Sequence, residues 1–364
     1  MNRRHFISAS AAFSTLAAFP SLARQASAAM LSEAQQAGWR TFEITTEVEL
    51  KAGGRPRLWL PVPFNQDTEY QRLISNEWKG NTDRAGIYRD DVYGSPVFYA
   101  EWDDKTAAPR VRLVSQFATR DRSVDFMRPQ PTAFNKDEIE LYLRPTKHIP
   151  TDGIVGETSR KIVGNLNDPI DKSRAIYEWI VDNTFRDPKV RGCGIGDISF
   201  MLETGNLGGK CADINALFTG LARAAGVPAR DMYGVRVATS ANFKSLGKSG
   251  DISKAQHCRA EFFDVRYGWI PVDPADVRKV VLEEEGKIIP IDHPKVLQAR
   301  ARLFGSWEMN WVGFNTACDV QLPPPPVESL NFFMYPYAET ADGKPDSLDP
   351  QGFRYQMTSR EITA

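Results

Sequence analysis

Between residues 42 and 50 apolar and polar side chains alternate without a break. Phe42, Ile44, Thr46, Val48 and Leu50 fall on one side, and Glu43, Thr45, Glu47 and Glu49 on the other. A period of two over nine residues predicts a half-buried strand. Leu58, Leu60 and Val62 repeat the pattern in Arg57-Leu58-Trp59-Leu60-Pro61-Val62-Pro63, where the prolines end the strand or confine it to a sheet edge. Residues 97–102, 111–118 and 139–143 read as further strands, separated by turn-rich stretches such as Asp90-Asp91-Val92-Tyr93-Gly94-Ser95-Pro96. Residues 39–148 are therefore expected to form an antiparallel, sandwich-like β-domain.

After Pro150 the period changes. Residues 156–166 and 171–184 carry helical spacing, the second announced by Asp168-Pro169. A glycine-rich loop follows at residues 191–196, and then a helix over 211–225. In that helix Ile214, Leu217, Phe218, Leu221, Ala222 and Ala225 line one face, Gly226 stops it and Pro228 keeps it from restarting. Residues 232–237, 257–263 and 267–273 read as strands. Residues 238–254, rich in Ser, Gly and Lys, read as an exposed loop beside them. A helix or turn is expected near 294–302 and a late strand at 319–322, with Pro323-Pro324-Pro325-Pro326 ending the second core. Two apolar pieces beyond it, 330–337 and 353–357, are expected to pair as a hairpin against either domain. The division is then 39–148 for the β-domain, 149–322 for a second domain and 323–364 for a C-terminal extension.

The first 28 residues stand apart from this pattern. They open with Asn2-Arg3-Arg4-His5-Phe6-Ile7, run through an uncharged apolar stretch to Leu22 and end in Ala26-Ser27-Ala28. That is the layout of a secretory signal, and the arginine pair resembles the twin-arginine type. The apolar run is short for a membrane span and nothing similar recurs, so a periplasmic or secreted protein with no stable span is expected after cleavage. The whole chain has a net charge of −1; without its first 28 residues, which hold three arginines and no acid, it has −4. No basic stripe is present to bind phosphate backbones, which argues against nucleic acid as a partner. An oxidising compartment allows a disulfide among Cys193, Cys211, Cys258 and Cys318, and a chain of this size does not require one.

Cys211 opens the best-patterned helix, directly after Gly208-Gly209-Lys210. A thiol attacks only as thiolate. The positive end of a helix and a nearby imidazole both favour that form. The flanking glycines leave room for a carbonyl substrate to approach the backbone, and the Cys211 amide can serve as an oxyanion donor. His257 lies 46 residues downstream and Asp273 a further 16. If Phe263 pairs with Tyr267 across the Asp264-Val265-Arg266 turn, counting outward puts His257 opposite Asp273, with Cβ atoms about 5 Å apart. The carboxylate would then accept the Nδ1 proton and steady the imidazolium. A zinc site built from Cys193, Cys211, His257 and Cys258 lacks the usual ligand spacing, and Cys258 lies on the other side of its strand from His257. Cys258 reads as core, Cys193 and Cys318 as core or a disulfide, and Trp179, Trp307 and Trp311 as core or cleft walls. No metal or other cofactor is expected, and no EF-hand loop is present.

Leu207-Gly208-Gly209-Lys210-Cys211-Ala212-Asp213, Leu221-Ala222-Arg223-Ala224-Ala225-Gly226-Val227-Pro228-Ala229-Arg230 and Tyr267-Gly268-Trp269-Ile270-Pro271-Val272-Asp273-Pro274 resemble, in this order, the motifs of the bacterial transglutaminase-like superfamily. The resemblance covers residues 140 to 320, and the segment from Leu58 to Pro63 is similar to the N-terminal region of secreted members. It implies an α+β fold in which the helix bearing the nucleophile packs on an antiparallel sheet, as in papain, with the β-sandwich-like domain before it. It also implies Cys211 as nucleophile, His257 as base and Asp273 as orienting acid. The reaction class is attack on amide bonds of peptides or proteins through a thioester, released to water or to an amine. Family members commonly carry His-Ala-Trp where this chain has His257-Cys258-Arg259. Asn206 is a weak candidate for a further oxyanion donor. The competing expectation is a non-catalytic module of the same fold that binds a peptide or saccharide.

Overall fold

The computed structural model describes residues 38–349 and 351–362, so the signal-like segment lies outside the described residues. Strands β1 (Arg40–Glu49), β2 (Arg57–Pro61), β3 (Gln71–Gly80), β4 (Arg84–Arg89), β5 (Pro96–Glu101) and β6 (Arg110–Thr119) build two antiparallel sheets, one holding β1, β6 and β3, the other β2, β5 and β4. Val48, Leu58, Leu60, Phe98, Val111 and Leu113 fill the space between them. β3 and β4 carry no clear alternation, and β4 has no fully buried position, which is why their pattern does not mark them as strands.

Residues 139–143 are not a strand. Ile139 to Leu141 close the short helix α1 (Lys136–Leu141), started by Asn135, whose side chain accepts from the Asp137 amide, and Tyr142 and Leu143 follow as a turn. Cap chemistry decides the conformation there over a five-residue apolar match. Helices α2 (Gly153–Val163), α3 (Pro169–Asn183) and α4 (Ile198–Thr204) follow, and then the central helix α5 (Cys211–Ala224). Every α5 residue from Cys211 to Arg223 is buried. One side packs on α2 and α3, and the other on a four-stranded antiparallel sheet. That sheet contains β7 (Ala229–Arg236), β8 (Gln256–Asp264), β9 (Gly268–Val272) and β10 (Trp311–Asn315), in the order β9-β8-β7-β10. Helices α6 (Pro274–Glu283) and α7 (Pro294–Arg302) complete this part. The late strand Cys318–Val320 pairs with Leu330–Phe332 and stays outside the four-stranded sheet.

The two C-terminal apolar pieces do not pair with each other. Strand β11 (Tyr337–Glu339) joins β2 as an edge of one sandwich sheet, and β12 (Arg354–Ile362) runs along the whole of β1 in the other. Each shielded edge gains a full row of backbone hydrogen bonds, which a free-standing hairpin would not provide. The segment 238–254 is likewise more than an exposed loop. Phe243, Leu246 and Ile252 are buried, Glu284 accepts from the Lys244 and Ser245 amides, and Gly250–Asp251 pairs with β12.

Candidate active site

The N-terminus of α5 is built around one carboxylate. Asp213 accepts from the amides of Lys210, Ile195 and Gly196 at 2.8, 2.9 and 2.9 Å, and the Ala212 amide bonds the Cys193 carbonyl at 2.9 Å. The Arg191–Gly196 loop is thereby tied to the first turn of the helix. Gly194 has φ +96°, and a Cβ there would stand 1.9 Å from Asp213 Oδ2. Gly209 has the same reason to be glycine, since a Cβ would lie 2.5 Å from the Asp213 Cβ, while Phe185 occupies the space over Gly208. The Gly208-Gly209 pair therefore makes room for the protein's own side chains, which corrects the reading that it clears a path for substrate.

Cys211, His257 and Asp273 meet at the junction of α5, β8 and α6, all three buried. His257 Nε2 lies 2.7 Å from Asp273 Oδ2. The nitrogen that meets the acid is thus Nε2 and not Nδ1. The expected register is also off by two. Phe263 pairs with Trp269 and Ala260 with Val272, a register that carried one step further sets Asp273 opposite Arg259 and not opposite His257. A slip of two residues keeps every side chain on its face, which is why the two still meet. Asp273 has left the strand to become the N-cap of α6, where Oδ1 accepts from the Asp276 amide at 3.0 Å and from Asn215 Nδ2 at 3.2 Å. Capping acid and histidine partner are one residue, one oxygen for each task.

Four neighbours were not picked out by sequence reasoning. Asn215, one turn after Cys211, ties α5 to the Cys258 carbonyl at 2.8 Å and accepts from the Ala275 amide. Its signal was an amide within an otherwise apolar helix. Asp276 puts Oδ2 3.3 Å from His257 Nε2 and Oδ1 2.6 Å from Arg236 Nη2. The Asp273-Pro274-Ala275-Asp276 spacing, a cap with an acid three residues on, was its signal. Arg236 and Arg259 are both buried; Arg259 Nε lies 3.7 Å from Asp273 Oδ2 and its guanidinium stacks over Trp307 and Trp311. Nothing in the sequence distinguished these two from surface arginines. Asn206 is exposed, its side chain accepting from the Gly208 amide, and it is absent from the cleft wall.

The electrostatics favour a charged pair. The Cys211 thiol is held well below its ordinary range, by hydrogen bonding from Cys193 first and Cys258 next, against burial, with His257 adding its own bond and charge. Burial and Arg236 push the His257 imidazole down, but Asp276 and Asp273 outweigh them and it is pushed up to about 9. Asp276 is held well below the carboxylate range, Arg236 and His257 overcoming its burial. All four cysteines are free and buried. Cys193 and Cys258 stand beside Cys211, while Cys318 is next to the Tyr233 hydroxyl. Neither Cys193 nor Cys318 is in a disulfide.

His257, Asp273 and Asp276 offer ligand atoms within 4.8 Å of one another, a spacing open to a metal ion. Arg236 and Arg259 already face the two carboxylates, so the charge a cation would bring is present in the protein. Above the thiol a cleft of about 460 Å³ opens, bounded by the 191–193 loop, the 247–257 segment and, unforeseen from sequence, Tyr335, Leu348, Phe353 and Tyr355 of the C-terminal extension.

A helix carrying a buried thiol, packed on an antiparallel sheet that brings a histidine and an acid to its N-terminus, defines the papain-like class. Within that class, the family model described as the transglutaminase-like superfamily matches residues 156–274. An uncharacterised protein of Haemophilus influenzae is 39% identical over 328 residues, covering 85% of this chain and 87% of that one. The crystal structure of a candidate cysteine protease from Cytophaga hutchinsonii superposes with a TM-score of 0.54 at 14% identity, covering 90% of this chain and 92% of that one. The periplasmic domain of TgpA from Pseudomonas aeruginosa gives 0.36 at 13% identity, with 74% and 96% covered. The chain belongs to the transglutaminase-like superfamily. Among the described residues no helix is long and apolar enough to cross a membrane.

Proposed function

We propose that this chain is a periplasmic cysteine enzyme that transfers the acyl group of a peptide or protein amide, with Cys211, His257 and Asp273 as its catalytic residues. The observation that carries the reading is the 2.7 Å contact between His257 Nε2 and Asp273 beside a buried, acidified Cys211 thiol at the mouth of a cleft. The Cys211 thiolate adds to the amide carbonyl, and the oxyanion forms against the Cys211 amide, a first-turn N–H that the helix itself leaves without an acceptor. Imidazolium then gives its proton to the departing amine, leaving a thioester and neutral imidazole. Water or a second amine attacks the thioester, His257 takes the proton from the incoming nucleophile, and the acyl group leaves as acid or new amide with the thiolate restored. Asp273 holds the ring through Nε2 and keeps Nδ1 toward the sulfur. The periplasmic assignment rests on the signal-like first 28 residues.

Thiol-directed labelling tests the reading. Iodoacetamide should modify the wild type and Cys193→Ala at neutral pH and leave Cys211→Ala unmodified under native conditions. Equal labelling of the two alanine variants would remove the nucleophile. Turnover is then scored with a glutamine-containing peptide, as ammonia or amine release against incorporation of a primary amine.

A further inference from the structure

Seven of the twenty residues lining the cleft over Cys211 are lysine or arginine, and none of the twenty is an acid. The chain as a whole is slightly acidic, with a net charge of −1, so this concentration of one sign is local. Much of the charge is already answered. Arg236 is paired with Asp276, Arg186 and Lys279 share Glu283, and Arg191 bridges Asp346. Lys210, Lys248 and Lys254 are not answered: among the described residues no carboxylate lies within 4.0 Å of their ammonium groups. Asp251, the acid that feels Lys248 and Lys254 through space, stays outside the cleft lining. Lys210 directly precedes the thiol, on the positive end of α5, and Lys248 and Lys254 come from the 247–257 segment that lines the same cleft. Tyr335, Leu348, Phe353 and Tyr355 line the same cleft.

We infer that the acyl donor is an acidic peptide, one that sets carboxylates against Lys210, Lys248 and Lys254. The inference builds on the catalytic reading above and names its substrate class. Like charges lining one concave site repel one another until an anion enters, and low-dielectric walls focus that field on the cleft. Neutral or basic peptides would leave three cations unpaired at the mouth, so the same feature that attracts acidic chains rejects the others.

Binding to full-length Cys211→Ala separates recognition from turnover. The probes are a fluorescein-labelled peptide with Glu and Asp flanking a central Gln, and its counterpart with every Glu and Asp replaced by Gln and Asn. Anisotropy at low salt should show the acidic peptide binding at least about tenfold tighter, with the advantage fading as ionic strength approaches about 0.5 M. In Cys211→Ala carrying also Lys248→Glu and Lys254→Glu, both at exposed positions, the preference should vanish or reverse while circular dichroism is unchanged. Equal affinity for the two peptides, or an acidic preference that survives the charge reversal, overturns the inference. If the acidic peptide binds selectively and the wild type never turns it over, the recognition stands and the catalytic reading falls. Equal turnover of acidic and neutral peptides does the reverse.

Discussion

Six ionisable side chains meet below the cleft with almost no exposure to solvent: Cys211, His257, Asp273, Asp276, Arg236 and Arg259. With the thiol as thiolate and the imidazole protonated, three negative and three positive charges balance. This is the condition under which buried charges persist, because each loses hydration and must recover it from a partner. The balance fixes a pH dependence. His257 is pushed up to about 9, so imidazolium, the proton donor to the leaving amine in the proposed mechanism, disappears as pH rises through that value, and kcat/KM should fall on the alkaline side there. On the acid side activity should be lost where Cys211 takes up a proton, well below the ordinary thiol range. In Asp276→Asn one of the two acids that raise His257 is gone. The alkaline limb should move to lower pH, and the unpaired Arg236 should cost about 3–5 kcal/mol in urea unfolding. An unmoved limb would mean that Asp276 does not act on the imidazole. A second acid, Asp231, is buried on β7 with neither oxygen in a formed hydrogen bond, and its burial, opposed by Arg223, pushes it up to about 7. A folded-state value above the unfolded one means that the folded chain holds a proton the unfolded chain has released, so Asp231 lowers stability as pH rises from about 4 to about 7. Asp231→Asn should therefore unfold at higher denaturant concentration than wild type at pH 8, and the gap should close at pH 4.

At the scale of elements, α5 is legible because its burial and its punctuation agree: an apolar face that recurs every three to four residues, and Gly226 at φ +77° to end it. What holds its first turn is not local in sequence. The Arg191–Gly196 loop reaches Asp213 only because Gly194 accepts φ +96° and has no side chain. Gly194→Ala should bring a methyl against the Asp213 carboxylate and strain the backbone, for on the order of 2–3 kcal/mol of destabilisation and slower Cys211 labelling. A variant with wild-type stability and labelling rate would show that the loop does not position the thiol. The β8–β9 hairpin teaches the complementary point. Alternation names the faces of both strands correctly, yet the turn geometry sets the register, and the turn places Phe263 opposite Trp269 instead of Tyr267. The Ile139–Leu143 stretch fails differently: five residues are too few for a period to outweigh an Asn135 cap.

Across the whole molecule the last strand joins what the chain order separates. β12 pairs with β1 along its length, takes the Gly250–Asp251 strand on its other edge, buries Met357 and follows directly on Phe353, a cleft residue. Removing residues 351–364 should uncover the β1 edge and cost about 3–6 kcal/mol from Phe353 and Met357 alone, read as a lower midpoint of thermal unfolding together with loss of peptide binding in the Cys211→Ala background. An unchanged midpoint would mean that the strand is dispensable. The sequence by itself determined the elements whose periodicity is strong, the opening of a helix by Cys211, and that His257 and Asp273 come within reach of each other, because periodicity, caps and motif spacing are properties of neighbouring residues. Only the tertiary structure decided which imidazole nitrogen meets Asp273, that Asp276, Arg236 and Arg259 complete a neutral buried set, and that residues from 335 to 355 wall the cleft. These contacts join positions tens to hundreds of residues apart. They are selected by charge balance and packing in three dimensions, which leave no periodic trace along the chain.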